Sequence, residues 1–136
     1  MRPNTPIHYE ASKTGTRIYL PLCPSTNARM IPIRMGYQCR EILTSDARNY
    51  IHSIGTELKI MMRQQKISAI DRFAYVDLWF ILPRTNCDAH NYGKVLFDAM
   101  QTGGLFTNDK FILPRIMGVG YKSPGEIIAD VPIKFS

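Results

Sequence analysis

The polar residues best suited to chemistry lie close together in the second half of the chain. Asp88 and Asp109 supply carboxylates, His90 supplies an imidazole and Lys94 supplies an amine. Such groups are costly to bury unless they are paired or bind a metal ion. Two carboxylates that converge repel each other, and a hard divalent cation relieves the repulsion by taking oxygen ligands from both. The pattern therefore indicates a metal-dependent phosphodiesterase site.

The spacing of the two aspartates allows them to meet. A helix over residues 91–102 would be about 18 Å long at 1.5 Å per residue. The residues 103–109 that follow it begin with a Gly-Gly turn, and they can reach back about 23 Å when extended. Asp109 can therefore lie beside Asp88 at the start of this helix.

The same helix can also be interpreted without a metal ion. His90, Lys94 and Asp98 are each four residues apart and share one helical face. They could form a surface ladder in which Lys94 pairs with Asp98. Alternatively, His90 could lie beside the metal ion and Lys94 over a scissile phosphate, where its ammonium would offset the charge of the transition state. Asn91 would cap or orient its neighbours in either arrangement, and both interpretations stay open.

Hydrophobic periodicity predicts the elements that must position these residues. A first helix should begin after Thr44 or Ser45 as N-cap and carry a core-facing stripe of Ala, Tyr, Ile, Leu and Met. The predicted elements are strand 18–22, a short extended piece within 30–38, helix 46–65, strand 72–82, helix 90–102, and a hairpin of strands 111–121 and 126–133. Residues 1–15 lack periodicity and should form a flexible arm. The prediction is an α+β fold in a single domain over residues 1–136, a mixed β-sheet with two main helices on one side.

Composition limits the possible functions. The chain has 136 residues and a formal net charge of +6, and residues 1–40 carry six basic side chains against Glu10 alone, a net charge of +5. This balance fits either a polyanionic partner or an ordinary solvated surface. No apolar run approaches the ~20 residues of a membrane span, and the N-terminus lacks the apolar segment of a secretory signal. A cytoplasmic protein is expected. Cys23, Cys39 and Cys87 form no Cys-x-x-Cys pair and are predicted to be reduced thiols.

The site residues resemble those of a known family. The pattern Asp88-x-His90-Asn91-x-x-Lys94-x-x-x-Asp98-Ala99, followed by Phe106 and Asn108-Asp109, is similar to the signature of RusA-type Holliday junction resolvases, the crossover junction endodeoxyribonucleases common in prophages. Residues 20–29 resemble the first strand of that family and its Pro-Ser-x-Asn turn. Residues 43–50 resemble the start of its first helix. The likeness spans roughly residues 18–133.

The resemblance implies a homodimer that binds branched DNA, namely four-way junctions, by shape and backbone, and cuts it with Mg²⁺ or possibly Mn²⁺. Asp88 and Asp109 match acidic metal ligands of the family, and Lys94 matches its essential amine. His90 stands where the family usually has a second Asp, and Asn108 replaces the first residue of an acidic pair. His90 is therefore expected to be a third metal ligand or a proton acceptor. The predicted DNA contacts are Asn27, Arg29, Arg34, Arg84, Asn91, Lys110, Arg115 and Lys122.

Three functions remain after this comparison. The first is a structure-selective endodeoxyribonuclease that hydrolyses a phosphodiester in four-way junctions. The second is a junction-binding protein whose active site has decayed through the change at His90. The third is a small metal-dependent phosphoesterase that acts on nucleotides or other phosphate esters without preference for branched DNA.

Overall fold

Within the residues that the structure describes, the fold is built from seven strands and two α-helices. The computed structural model describes residues 7–13, 15–25, 30–35 and 38–133, except for the side chains of residues 30–35, 38–42 and 90. The elements are β1 (His8–Ser12), β2 (Gly15–Pro21), β3 (Met30–Met35), β4 (Gln38–Leu43), α1 (Ser45–Gln64), β5 (Ala74–Leu82), α2 (Gly93–Thr102), β6 (Ile112–Tyr121) and β7 (Glu126–Val131). Two single 3₁₀ turns, Ala89–Tyr92 and Asp109–Phe111, precede α2 and β6.

Five strands form the main sheet, in the order β1-β2-β7-β5-β6. Strand β6 runs parallel to β5, and every other neighbouring pair in this sheet is antiparallel. Strands β3 and β4 form a separate antiparallel pair. The predicted α+β class, with one mixed sheet and two helices, is confirmed.

One face of the sheet is buried against the helices. Alternate residues of β2, β5 and β7 join the inward stripes of α1 and α2 in one hydrophobic core, as the period-2 and period-3.6 patterns require. Helix α1 begins at its predicted cap, where the Thr44 hydroxyl accepts a hydrogen bond from the Ala47 N–H at 3.2 Å. No helix within the described ranges is long and apolar enough to cross a membrane.

The other face of the sheet carries paired charges. Arg17, Asp130, Asp77 and Arg115 occupy neighbouring register positions on four adjacent strands. Arg17 donates to Asp130 at 2.7 and 2.9 Å, and Arg115 donates to Asp77 at 2.6 and 3.2 Å. On this face of β5, Tyr75 is exposed and Asp77 is half-buried.

The predicted hairpin is wrong. Strands β6 and β7 are not neighbours, because β5 lies between them. The connection crosses the end of β5, where the Lys122 N–H donates to the Leu82 carbonyl at 2.9 Å. Gly125 passes so close that a Cβ there would lie 2.9 Å from the Ile81 carbonyl oxygen. Pro114 suits β6 for the sheet edge, where a missing N–H costs no ladder bond, while the buried residues of β7 suit a central position.

Two further expectations need correction. Residues 8–12 are not part of an irregular arm, because they pair with β2 from His8↔Tyr19 to Ser12↔Gly15. The extended piece predicted within residues 30–38 is present as β3, but the prediction missed its partner strand β4, which ends at Leu43. Strands β1 and β4 are short and have polar residues at several positions. Pairing with a neighbouring strand therefore stabilises them more than burial of an apolar face does.

Candidate active site

Asp88 lies on the loop that leaves the central strand β5. It occupies the N-cap position of the 3₁₀ turn Ala89–Tyr92 and makes no side-chain capping bond, and its side chain is exposed. The Asp88 carbonyl accepts from the Asn91 N–H at 3.1 Å. The turn thus fixes the Asp88 backbone and leaves its carboxylate facing solvent.

Tyr92 anchors this turn to the core. The buried Cys23 thiol donates to the Tyr92 carbonyl at 3.0 Å, and the Tyr92 ring centroid lies 6.4 Å from that of Phe80. Burial raises the pKa of Cys23 to about 12, so this thiol stays protonated and can donate. Cys23 and Cys87 are both free, which agrees with the predicted reduced thiols; the side chain of Cys39 lies outside the description.

Cys87 sits between two polar groups at the start of the same turn. A hydrogen bond with the Tyr92 hydroxyl is the main cause that lowers the pKa of Cys87, and Arg84 contributes in the same direction. The same bond raises the pKa of Tyr92 to about 12.

Lys94 connects α2 to Asp109. Its Nζ lies 2.8 Å from Asp109 Oδ2 and 3.4 Å from Asp98 Oδ1. The ladder pair Lys94–Asp98 is therefore present, but the shorter contact joins Lys94 to the residue fifteen positions later. The side chains of Lys94, Asp98 and Asp109 are 45 %, 20 % and 27 % exposed, so all three remain accessible to a ligand from solvent.

The pKa of Lys94 is raised above its ordinary value. The hydrogen bond with Asp109 is the largest cause, and the charge of Asp98 adds to it. Lys94 is therefore a cation at neutral pH, and Asp109 holds its ammonium in place.

Asp109 is fixed by a residue that sequence reasoning missed. The Asp109 N–H donates to Gln101 Oε1 at 2.7 Å, and Asn108 caps the same turn by accepting from the Lys110 N–H at 2.9 Å. Gln101 follows Lys94 by seven residues and Asp98 by three, so the helical period would have placed it on their face. Lys94 and Gln101 thus hold Asp109 from the same helix.

The metal site predicted from Asp88, His90 and Asp109 stays a prediction. Within the described part of the chain, no group of three or more His, Cys, Asp or Glu side chains could hold a metal ion, and the side chain of His90 lies outside that part. The structure brings together Lys94, Asp98 and Asp109 instead.

The predicted DNA contacts fall in different places. Asn27 and Arg29 lie outside the described residues, as does the side chain of Arg34. Asn91 is half-buried in the 3₁₀ turn, while Arg84, Lys110 and Lys122 are exposed. Arg115 is committed to Asp77 and stacks 4.2 Å from the Tyr75 ring centroid, so it would have to leave that pair to bind a phosphate.

The fold and this site define an α+β protein in which an amine on one helix meets a carboxylate at the start of a parallel edge strand. Residues 24–129 match the family model described as endodeoxyribonuclease RusA. The chain therefore belongs to the RusA endodeoxyribonuclease family, and family membership implies a Holliday junction endonuclease that acts on branched DNA. Comparison with curated proteins gives no match.

The ion pair of Lys94 predicts an alkaline change in stability. A lysine whose folded-state pKa is raised stabilises the fold below its ordinary pKa of 10.5 and loses that contribution as pH rises through the folded value. Lys94→Met should lower the free energy of unfolding near pH 7 by less than about 1 kcal/mol, because the pair is exposed. The difference from the parent should shrink above the ordinary lysine pKa of 10.5.

Urea unfolding at several pH values measures this difference. Lys59→Met, at an exposed position of α1, controls for the loss of one positive charge. A Lys94→Met difference that stays constant up to pH 12 would show that the ion pair is not its cause.

Proposed function

We propose that this protein is a structure-selective endodeoxyribonuclease that resolves four-way DNA junctions by hydrolysing a phosphodiester at Asp88, His90, Lys94 and Asp109. The observation that carries the proposal is the 2.8 Å contact between Lys94 Nζ and Asp109 Oδ2. These residues are the amine and carboxylate of the family motif, and the fold joins them across fifteen positions in an accessible site. A surface ladder on α2 would need only the contact between Lys94 and Asp98, and it would not need the contact with Asp109.

Lys94 acts on the phosphate. Its ammonium is cationic at neutral pH. Two carboxylates hold the ammonium in place, so the long side chain is not free to move. When a phosphodiester enters, the ammonium offsets the negative charge that develops on the phosphate oxygens. Because the position is fixed before the substrate arrives, little reorganisation is needed at the moment of reaction.

A divalent cation fits the donor set. Asp88 presents an exposed carboxylate, Asp109 contacts Lys94 through Oδ2, and Mg²⁺ prefers oxygen donors. Asp88 and Asp109 would hold the ion, with His90 as a third ligand or as a proton acceptor. Such an ion, when bound, lowers the pKa of a water molecule and so supplies the nucleophile.

A second candidate is a junction-binding protein without cleavage. One observation favours it: His90 and Asn108 replace acidic residues of the family pattern. This protein would keep the basic surface and the fold but bind the cation too weakly for catalysis. A non-selective phosphoesterase would instead hydrolyse a generic phosphodiester as well as a junction.

The active form is proposed to be a homodimer, since a four-way junction has two-fold character and paired cuts need two sites. Strand β6 is the surface best suited to the contact. It lies at the sheet edge, and Ile116, Met117, Val119 and Tyr121 on it are 45–54 % exposed. An exposed apolar edge strand is a ready site for pairing with a second chain.

Asp88→Asn and Asp109→Asn should each abolish nicking of a synthetic four-way junction while leaving its binding unchanged or tighter. Removing a carboxylate removes a metal ligand and also reduces repulsion of the phosphates. Gel shift and nicking assays with Mg²⁺ and Mn²⁺ measure the two properties separately. Glu57→Gln, on α1, is the matched control and should change neither.

The outcomes separate the candidate functions. A parent protein that binds the junction but nicks it with neither metal supports the binding-only candidate. A parent that hydrolyses linear and branched DNA equally supports the non-selective phosphoesterase. Equal loss of binding and nicking in both variants would show that Asp88 and Asp109 have a structural role rather than a catalytic one.

His90→Asp should raise Mg²⁺-supported nicking relative to Mn²⁺-supported nicking. Imidazole is a softer ligand that suits Mn²⁺ better than Mg²⁺. A ligating imidazole must also be neutral, so the parent should lose activity below about pH 6.5, and the variant should move this acid limit downward. An unchanged metal ratio and pH profile would mean that His90 does not contact the metal ion.

Val119→Lys should convert the dimer to a monomer and abolish paired cuts, because it places a charge on the apolar edge of β6. Light scattering of the free protein measures the oligomeric state. Ile60→Lys, at an exposed apolar position of α1, is the control and should leave the dimer intact. A parent that is monomeric both free and on DNA would contradict the dimer.

A further inference from the structure

Phe73 is the most exposed large hydrophobic side chain among the described residues. It is 62 % exposed, although it directly precedes β5, whose first residue Ala74 is buried. Single exposed apolar residues are common on protein surfaces. Phe73 differs because of what surrounds it.

Phe111 supports the Phe73 ring from one side. The two ring centroids are 5.3 Å apart and the ring planes meet at 82°, a favourable edge-to-face contact. Phe111 is half-buried and packs against the core. Because perpendicular rings cannot both stack on one flat ligand, Phe111 serves as the support and Phe73 as the presented surface.

The aromatic pair lies beside the proposed active site. Phe111 ends the same 3₁₀ turn that Asp109 begins, and two Cα–Cα steps span at most about 7.6 Å. The adjacent register pair Ala74↔Ile112 keeps Phe73 next to Phe111.

Positive charge accompanies the two rings. Lys110 Nζ lies 5.1 Å from the Phe111 ring centroid, and Lys110 is exposed, as is Arg72 next to Phe73. Exposed aromatic rings with neighbouring cations are the combination by which proteins hold single-stranded nucleic acid, since bases stack on the rings and phosphates contact the cations.

We propose that Phe73, supported by Phe111, stacks on a nucleobase whose stacking is interrupted where strands exchange, next to the phosphodiester that Lys94 contacts. Lys110 contacts a neighbouring phosphate. The inference rests on the proposed function and deepens it, because it gives the site a physical reason to prefer branched DNA. In a regular duplex every base is already stacked, so the Phe73 ring gains a partner only where stacking is interrupted.

A junction that carries 2-aminopurine at the exchange point tests the proposal. Binding of the parent should quench the fluorescence, and Phe73→Ala should lose the quenching. The junction affinity of Phe73→Ala should fall about 5- to 150-fold, the range for loss of one stacked base, while its affinity for a linear duplex stays unchanged. Phe73→Tyr should retain both properties, whereas Phe73→Leu, which is apolar but not aromatic, should behave like Phe73→Ala.

Controls make each outcome decisive. Ile60→Ala removes an exposed apolar side chain of α1 and should match the parent, and urea unfolding should show that every variant is folded. If the parent binds and nicks the junction while Phe73→Ala keeps quenching and affinity, the stacking proposal alone is overturned. If the parent neither binds nor nicks it, the proposed function fails as well. If light scattering shows that Phe73→Ala dissociates a dimer, Phe73 belongs to the contact between copies, and the proposal is overturned.

Discussion

Asp109 is held twice by one helix, and the site depends on this arrangement. Lys94, in the first turn of α2, binds the Asp109 carboxylate, and Gln101, near the end of α2, binds its backbone N–H. The contacts tie the start of β6 to the helix before it, so the turn Asp109–Phe111 has one position relative to α2. Any ligand of Asp109 therefore meets a carboxylate whose backbone and charge partner are already in place.

The position of α2 depends in turn on close packing against α1. Gly55 of α1 and Gly103 after α2 let the helices approach, since a Cβ on Gly103 would lie 2.7 Å from Leu58 Cβ and 3.0 Å from the Gly55 carbonyl oxygen. At the other end, Cys23 and Phe80 fix Tyr92 at the start of α2. The core thus sets the geometry of an accessible polar site without any of the polar residues being buried deeply.

Local signals predicted some of this structure and not the rest. Thr44 and the apolar stripe predicted helix α1, and the alternation of residues in β5 predicted the strand before the site. Both predictions succeeded because these patterns depend on near neighbours in the chain. The place of β7 beside β5 depends on where the chain crosses the sheet, which periodicity does not record. In the site, the spacing of Lys94 and Asp98 indicated their contact. The role of Gln101 could not be seen in advance, because it exists only once the chain returns at Asp109.

The insertion of β7 between β2 and β5 has a consequence for how the protein is made. Strand β7, the last of the described strands, joins the two halves of the sheet, with Thr16 paired to Val131 and Asp77 paired to Asp130. Before β7 emerges from the ribosome, β1–β2 and β5–β6 are two separate pairs with open edges. Synthesis proceeds from the N-terminus, and pairings between distant residues form slowly. The native sheet therefore closes only after β7 has been synthesised, and the facing edges of β2 and β5 stay unpaired until then.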